Sequence, residues 1–170
     1  MIKKNQSKKL PFNIKDMVVY PSHGVGQIIA IEKIEIDKKK LEHYVISMEQ
    51  NQLVLRIPFN KVNEVNLRKL SSKKTMDKSL AVLKQKAKVR RIMWSRRAQD
   101  YSSKINSGDP TLISEVVRDL YRKNNQPEQS YSERQMFQSA VERLARELAA
   151  VEKTDHFNAT EKIEKILELK

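Results

Sequence analysis

The sequence predicts an α+β protein of two domains, a small antiparallel β-barrel followed by an all-helical bundle. Short runs rich in β-branched residues succeed one another up to Pro58, joined by polar turns. Beyond about Leu70 the β signal ends, and apolar residues recur at three- and four-residue intervals. The two patterns are segregated, with no βαβ alternation and no internal repeat.

The strands can be placed in order. MVVY (17–20) leads into the turn-like PSHG (21–24), where Gly24 and then Gly26 suit a turn or a close backbone approach. VGQIIAIEKIEI (25–36) alternates in part, with Ile31, Lys33 and Glu35 opposed to Glu32, Ile34 and Ile36. DKKK (37–40) connects it to LEHYVISM (41–48), EQNQ (49–52) turns again, and LVLRI (53–57) stops at Pro58. This defines a domain over 13–70, preceded by a basic arm over 1–12 that reads as flexible.

A polar linker is expected over 71–79, and a helical domain over 80–170. Its first candidate helix spans 79–92, with Leu80, Leu83 and Ala87 on one face. SGDP (107–110) opens another, with Asp109 as cap and Pro110 as first residue. That helix carries Leu112, Ile113, Val116, Val117, Leu120 and Tyr121 as its apolar stripe. NNQPEQS (124–130) breaks the chain, and Ser130 with Glu133 forms a capping box for the next helix. Phe137, Ala140, Val141, Leu144, Ala145 and Leu148 line its buried side, and a short last helix near 159–168 presents Ile163, Ile166 and Leu167.

Charge narrows the function. The 170 residues hold 34 Lys and Arg against 21 Asp and Glu, a formal net charge of +13. Residues 68–105 alone carry thirteen basic and two acidic side chains, whereas 10–67 carry seven of each. A surplus concentrated on one segment points to a polyanion-binding surface there.

Catalysis finds no support. With no cysteine, thiolate chemistry and disulfides are excluded. His23, His43 and His156 are far apart and have no ligand-spaced neighbours, so no metal and no cofactor are expected. G-V-G at 24–26 is too short for a dinucleotide fingerprint, and there is no P-loop or serine elbow. Glu142, Glu147 and Glu152 lie among basic residues and read as solvated helix faces. The basic start has no apolar run behind it, and no stretch is long and apolar enough to span a membrane. A cytoplasmic, non-enzymatic protein is expected, acting as a monomer with no small-molecule substrate.

The informative segment is KQKAKVRRIMWSRRAQDYSSK (84–104). Lys88, Arg90, Arg91, Arg96 and Arg97 surround the single tryptophan, Trp94. Basic side chains neutralise phosphates and release counterions, and a flat apolar ring among them can stack on a base or wedge into a step. Trp94 reads either as such a contact or as an anchor of the helical core. Arg56, the one basic residue in LVLRIP, reads as an outward-facing strand residue or as an interface anchor.

VVYPSHGVGQI (18–28), LVLRIP (53–58), WSRR (94–97), SGD (107–109) and EVVRDLYR (115–122) together resemble the CarD/CdnL family of bacterial transcription regulators, in order, from about residue 14 to about residue 150. The resemblance implies a Tudor-like N-terminal domain that binds the RNA polymerase β subunit, and a helical domain at the upstream edge of the transcription bubble in promoter DNA. It gives Trp94 the role of a minor-groove wedge, Arg96 and Arg97 those of phosphate or groove contacts, and Arg56 a grip on polymerase. Where some members place a further basic residue for the polymerase contact on the second strand this chain has Ile34; the adjacent Lys33 is the candidate for that contact, which is then displaced, since Lys33 points to the opposite face of a regular strand.

The sequence therefore predicts a regulator that tethers itself to polymerase and stabilises open promoter DNA. Its rivals are a general nucleic-acid-binding module and a protein–protein adaptor with Trp94 in the core.

Overall fold

The computed structural model describes residues 11–170. Among them, five strands are followed by five α-helices, which bears out the α+β class. The basic arm lies outside the described residues except for its last two. Of these, Phe12 is buried and packs edge-on against Tyr44, so it belongs to the β-domain core rather than to an arm.

Strands β1 (Met17–Tyr20), β2 (Gly24–Ile36), β3 (Lys39–Met48), β4 (Val54–Pro58) and β5 (Arg68–Lys69) form one antiparallel sheet in the order β4-β3-β2-β1-β5. Val18, Ile28, Tyr44, Ile46, Met48 and Ile57 form its core, closed by Val62 and Leu67 from the connection between β4 and β5. The partial alternation of β2 has a cause: its register with β3 slips between Ile28 and Ala30, and the intervening Ile29 is half exposed. At Gly26 the neighbouring strand is so near that a Cβ would lie 2.7 Å from Met48 Sδ.

The helical domain comprises α1 (Lys73–Leu83), α2 (Trp94–Asn106), α3 (Pro110–Leu120), α4 (Tyr131–Glu152) and α5 (His156–Glu168). Met76, Leu80, Leu83, Val116, Leu120, Leu144, Leu148, Ile163 and Leu167 are in its core. Asp109 caps α3 through Thr111 N, and the Ser130–Glu133 capping box is fully formed. The first helix departs from expectation at both ends. Ser72 caps α1 through Thr75 N, so the helix begins inside the segment expected to be a linker. It ends at Leu83, and residues 84–93 are not helical.

The domains meet through ordered contacts. Arg68 of β5 forms a bidentate pair with Glu147 of α4, with N–O distances of 2.8 and 2.9 Å, and donates to Gly108 O at 2.6 Å. Glu147 also accepts from Ser71 N at 3.0 Å. It is 3% exposed, which corrects its reading as part of a solvated face: its charge is met by an arginine from the other domain. Arg143 of α4 donates to the carbonyls of Pro21 and Ser22 in the PSHG turn. Gly108, at φ +71°, lies against Pro21, where a Cβ would come within 2.8 Å of Pro21 Cα. PSHG and SGD thus touch each other.

Candidate nucleic-acid and polymerase interfaces

Between α1 and α2 the chain runs through ten consecutive exposed residues, 84–93. Five of them are basic, namely Lys84, Lys86, Lys88, Arg90 and Arg91, and no acid occurs before Asp100. The segment was expected to be helical, and its composition suits a helix. What holds it out is a buried pair on α3. Arg118 Nε donates to Asp119 Oδ1 at 2.8 Å, and each side chain is 4% exposed. Asp119 Oδ1 also accepts the backbone N–H of Lys88 at 2.9 Å, and Arg118 Nη1 donates to Gln85 Oε1 at 3.2 Å. The R-D of EVVRDLYR therefore acts as a two-pronged clamp on the basic segment. Sequence reasoning missed it, although adjacent charges within the apolar stripe of α3 were the available sign.

Trp94 opens α2 and is half-buried, packing on the helical core with Tyr101 at 6.4 Å between ring centroids. Arg97 lies one turn later with its guanidinium carbon 5.3 Å from the Trp94 ring centroid, a cation–π arrangement. Arg96 and Arg97, expected as a pair, part company. Arg96 is exposed, while the Arg97 side chain is 17% exposed and lies 3.8 Å from Glu133. Its Nε is buried with no hydrogen-bond partner among the described residues. Burial raises the pKa of the nearby Tyr101 phenol, with Asp119 adding to the effect and Arg97 opposing it.

The β-domain offers a second surface. Arg56 is on edge strand β4, opposite Val45, and Glu32 is on β2 opposite His43. The two side chains reach across to each other, Arg56 Nε lying 3.1 Å from Glu32 Oε2 with both about half exposed. Lys33 is paired instead with Glu42 at 3.5 Å. It follows Glu32 by one residue, so it stands on the other face and the structure does not bring it to Arg56. Ile34, two residues beyond Glu32, shares the Arg56 side of the sheet and is partly exposed.

Two family models cover most of the chain. Residues 12–71 match the CarD-like/TRCF RID domain, and residues 78–164 match the CarD C-terminal domain. The chain belongs to the CarD/CdnL family of transcription regulators. This CarD-family chain is also 32% identical over 140 residues, 82% of its length and 92% of the other protein's, to the "Putative transcription factor YdeB" of Bacillus subtilis (strain 168). The boundary between the two family models falls at the start of α1, next to the Arg68–Glu147 pair. Among the described residues of this CarD-family fold, no group of acidic and imidazole side chains could hold a metal ion, and no helix is long and apolar enough to cross a membrane.

Proposed function

We propose that this chain regulates transcription initiation by holding the RNA polymerase β subunit with its β-domain and promoter DNA with its helical domain, and that it stabilises the open complex. The observation that carries the reading is the clamped basic segment, which runs without a break into Trp94. Lys88, Arg90, Arg91 and Arg96 supply phosphate contacts, and Trp94 lies against the upstream edge of the bubble with Arg97 stacked on it.

Polymerase docks on the open side of β4 around Arg56. An edge strand presents unpaired main-chain groups for β-addition, and an arginine beside them adds a directional contact. Docking raises the local concentration of the basic segment at the promoter. A protein that binds open DNA better than closed duplex shifts the balance between them without performing a reaction.

The half-burial of Trp94 favours one competing reading, an adaptor whose basic segment meets an acidic protein. The lifetime of open complexes, measured with a matching bacterial polymerase, separates the two. The wedge reading expects a longer lifetime that Trp94→Ala abolishes while polymerase binding persists. The adaptor reading expects no change in lifetime once polymerase is bound.

A further inference from the structure

The basic segment is not purely polar. Val89 is 40%, Ile92 39% and Met93 73% exposed, three apolar side chains within the five positions that precede Trp94. Exposed apolar side chains flanked by Lys88, Arg90, Arg91 and Arg96, with no acid near them in sequence, call for a partner that is anionic outside and apolar within. Nucleic acid opened at a base step has that character: phosphates at the rim, base faces inside.

Trp94 alone has limited surface to offer such a step. One side of its ring faces the Arg97 guanidinium, and the indole also packs on the helical core. Met93 is the large apolar side chain next to it that stands free. We propose that Met93 is the leading element of the wedge, entering the unstacked base step ahead of Trp94, and that Val89 and Ile92 extend the contact along the groove. The inference rests on the open-complex reading above and assigns the insertion to a residue beyond the WSRR motif.

The chemistry suits methionine, whose unbranched, polarisable side chain adapts to an irregular apolar gap. Its position also gives a test that separates function from folding. Met93 is the N-cap of α2, with φ −54° and ψ 142°, and makes no side-chain hydrogen bond there. The N-caps of α1, α3, α4 and α5 are Ser72, Asp109, Ser130 and Asp155, and each accepts a backbone N–H. Asparagine at 93 would supply the missing acceptor.

The experiment uses the full chain with a matching RNA polymerase on a promoter whose open complex is short-lived. Met93→Asn is expected to melt about 2–4 °C higher, the scale of one gained cap in a chain of this size. The same variant is expected to give an open-complex lifetime roughly three- to tenfold shorter than the parent, the scale of losing one apolar contact. Met93→Gln, which keeps the length of the side chain, should shorten the lifetime likewise, and Met93→Leu should preserve it. Parental lifetimes for Met93→Asn and Met93→Gln, with Trp94→Ala still shortening them, would overturn the role of Met93 and leave the wedge intact. Parental lifetimes for Trp94→Ala as well, with polymerase bound, would overturn both.

Discussion

Arg68 and Glu147, 79 residues apart in the chain, share two hydrogen bonds across the boundary between the domains. The carboxylate is nearly fully buried and the guanidinium about a third exposed. With Arg143 holding the PSHG turn, the pair ties the β5 side of the sheet, whose far edge carries Arg56, to α4 of the helical domain that carries Trp94. A tethered wedge needs that fixity, because slack between the domains dilutes the effective concentration of the tip.

Glu147→Ala is therefore expected to weaken open-complex stabilisation although residue 147 belongs to neither proposed surface. Removing one partner of a buried pair costs about 3–5 kcal/mol, reduced here to roughly 2 kcal/mol because water reaches Arg68. Urea denaturation checks the stability. Polymerase and DNA binding, each measured alone, should stay at the parental level.

Asp119→Ala removes the acceptor for Lys88 N–H and leaves Arg118 buried without its partner. A loss of about 3–5 kcal/mol is expected. Hydrogen exchange at the amides of residues 84–91 should quicken, and Asp119→Asn, which keeps an acceptor oxygen, should retain much of the protection at Lys88.

Neutralising Lys84, Lys86, Lys88, Arg90 or Arg91 singly to Gln should weaken DNA binding alike on different sequences. Each change should lower the slope of log affinity against log salt by about one unit where that side chain meets a phosphate. An unchanged slope for all five would remove this segment from the DNA contact.

Arg56→Glu breaks the pair with Glu32 and reverses the charge on the β4 edge. It is expected to abolish polymerase binding, read by co-purification, and to spare the affinity for free DNA. The reverse outcome would exchange the roles of the two domains.

Tyr44 and Tyr101 should ionise later than exposed tyrosines in an alkaline absorbance titration. Burial is the leading cause of the raised pKa in each. The stabilisation linked to their neutral forms is fully present below the unfolded-state pKa and is lost as pH rises from there through the folded value. Tyr101→Phe should flatten part of that alkaline loss.

The helix starts at Asp109 and Ser130 were legible because a cap is a local event, a side-chain oxygen meeting an N–H two or three residues on. The end of α1 was not. Lys, Gln, Ala and Arg after Leu83 all suit a helix, and the decision was made by Arg118 and Asp119 on another element. The start of α1 could have been read, since Met76 precedes Leu80 and Leu83 at helical spacing and Ser72 stands where a cap belongs. Glu147 was misread because its partner belongs to the other domain, and the spacing of charges along one helix carries no record of such a partner. The basic segment and its tryptophan were visible as composition; the non-helical path of that segment, and the division of labour between Arg96 and Arg97, arise only in three dimensions.

The seam between the domains is written largely in main chain. Pro21, Ser22 and Gly108 offer their carbonyls and Ser71 its N–H, while Arg68, Arg143 and Glu147 supply the matching side chains. An acceptor that every amino acid possesses places little demand on which residue bears it. Ser22 is thus free to vary as the chain diverges, provided the three charged side chains persist and Gly108 keeps its room beside Pro21. Two descendants could look unlike one another along this seam and still hold their domains at the same angle.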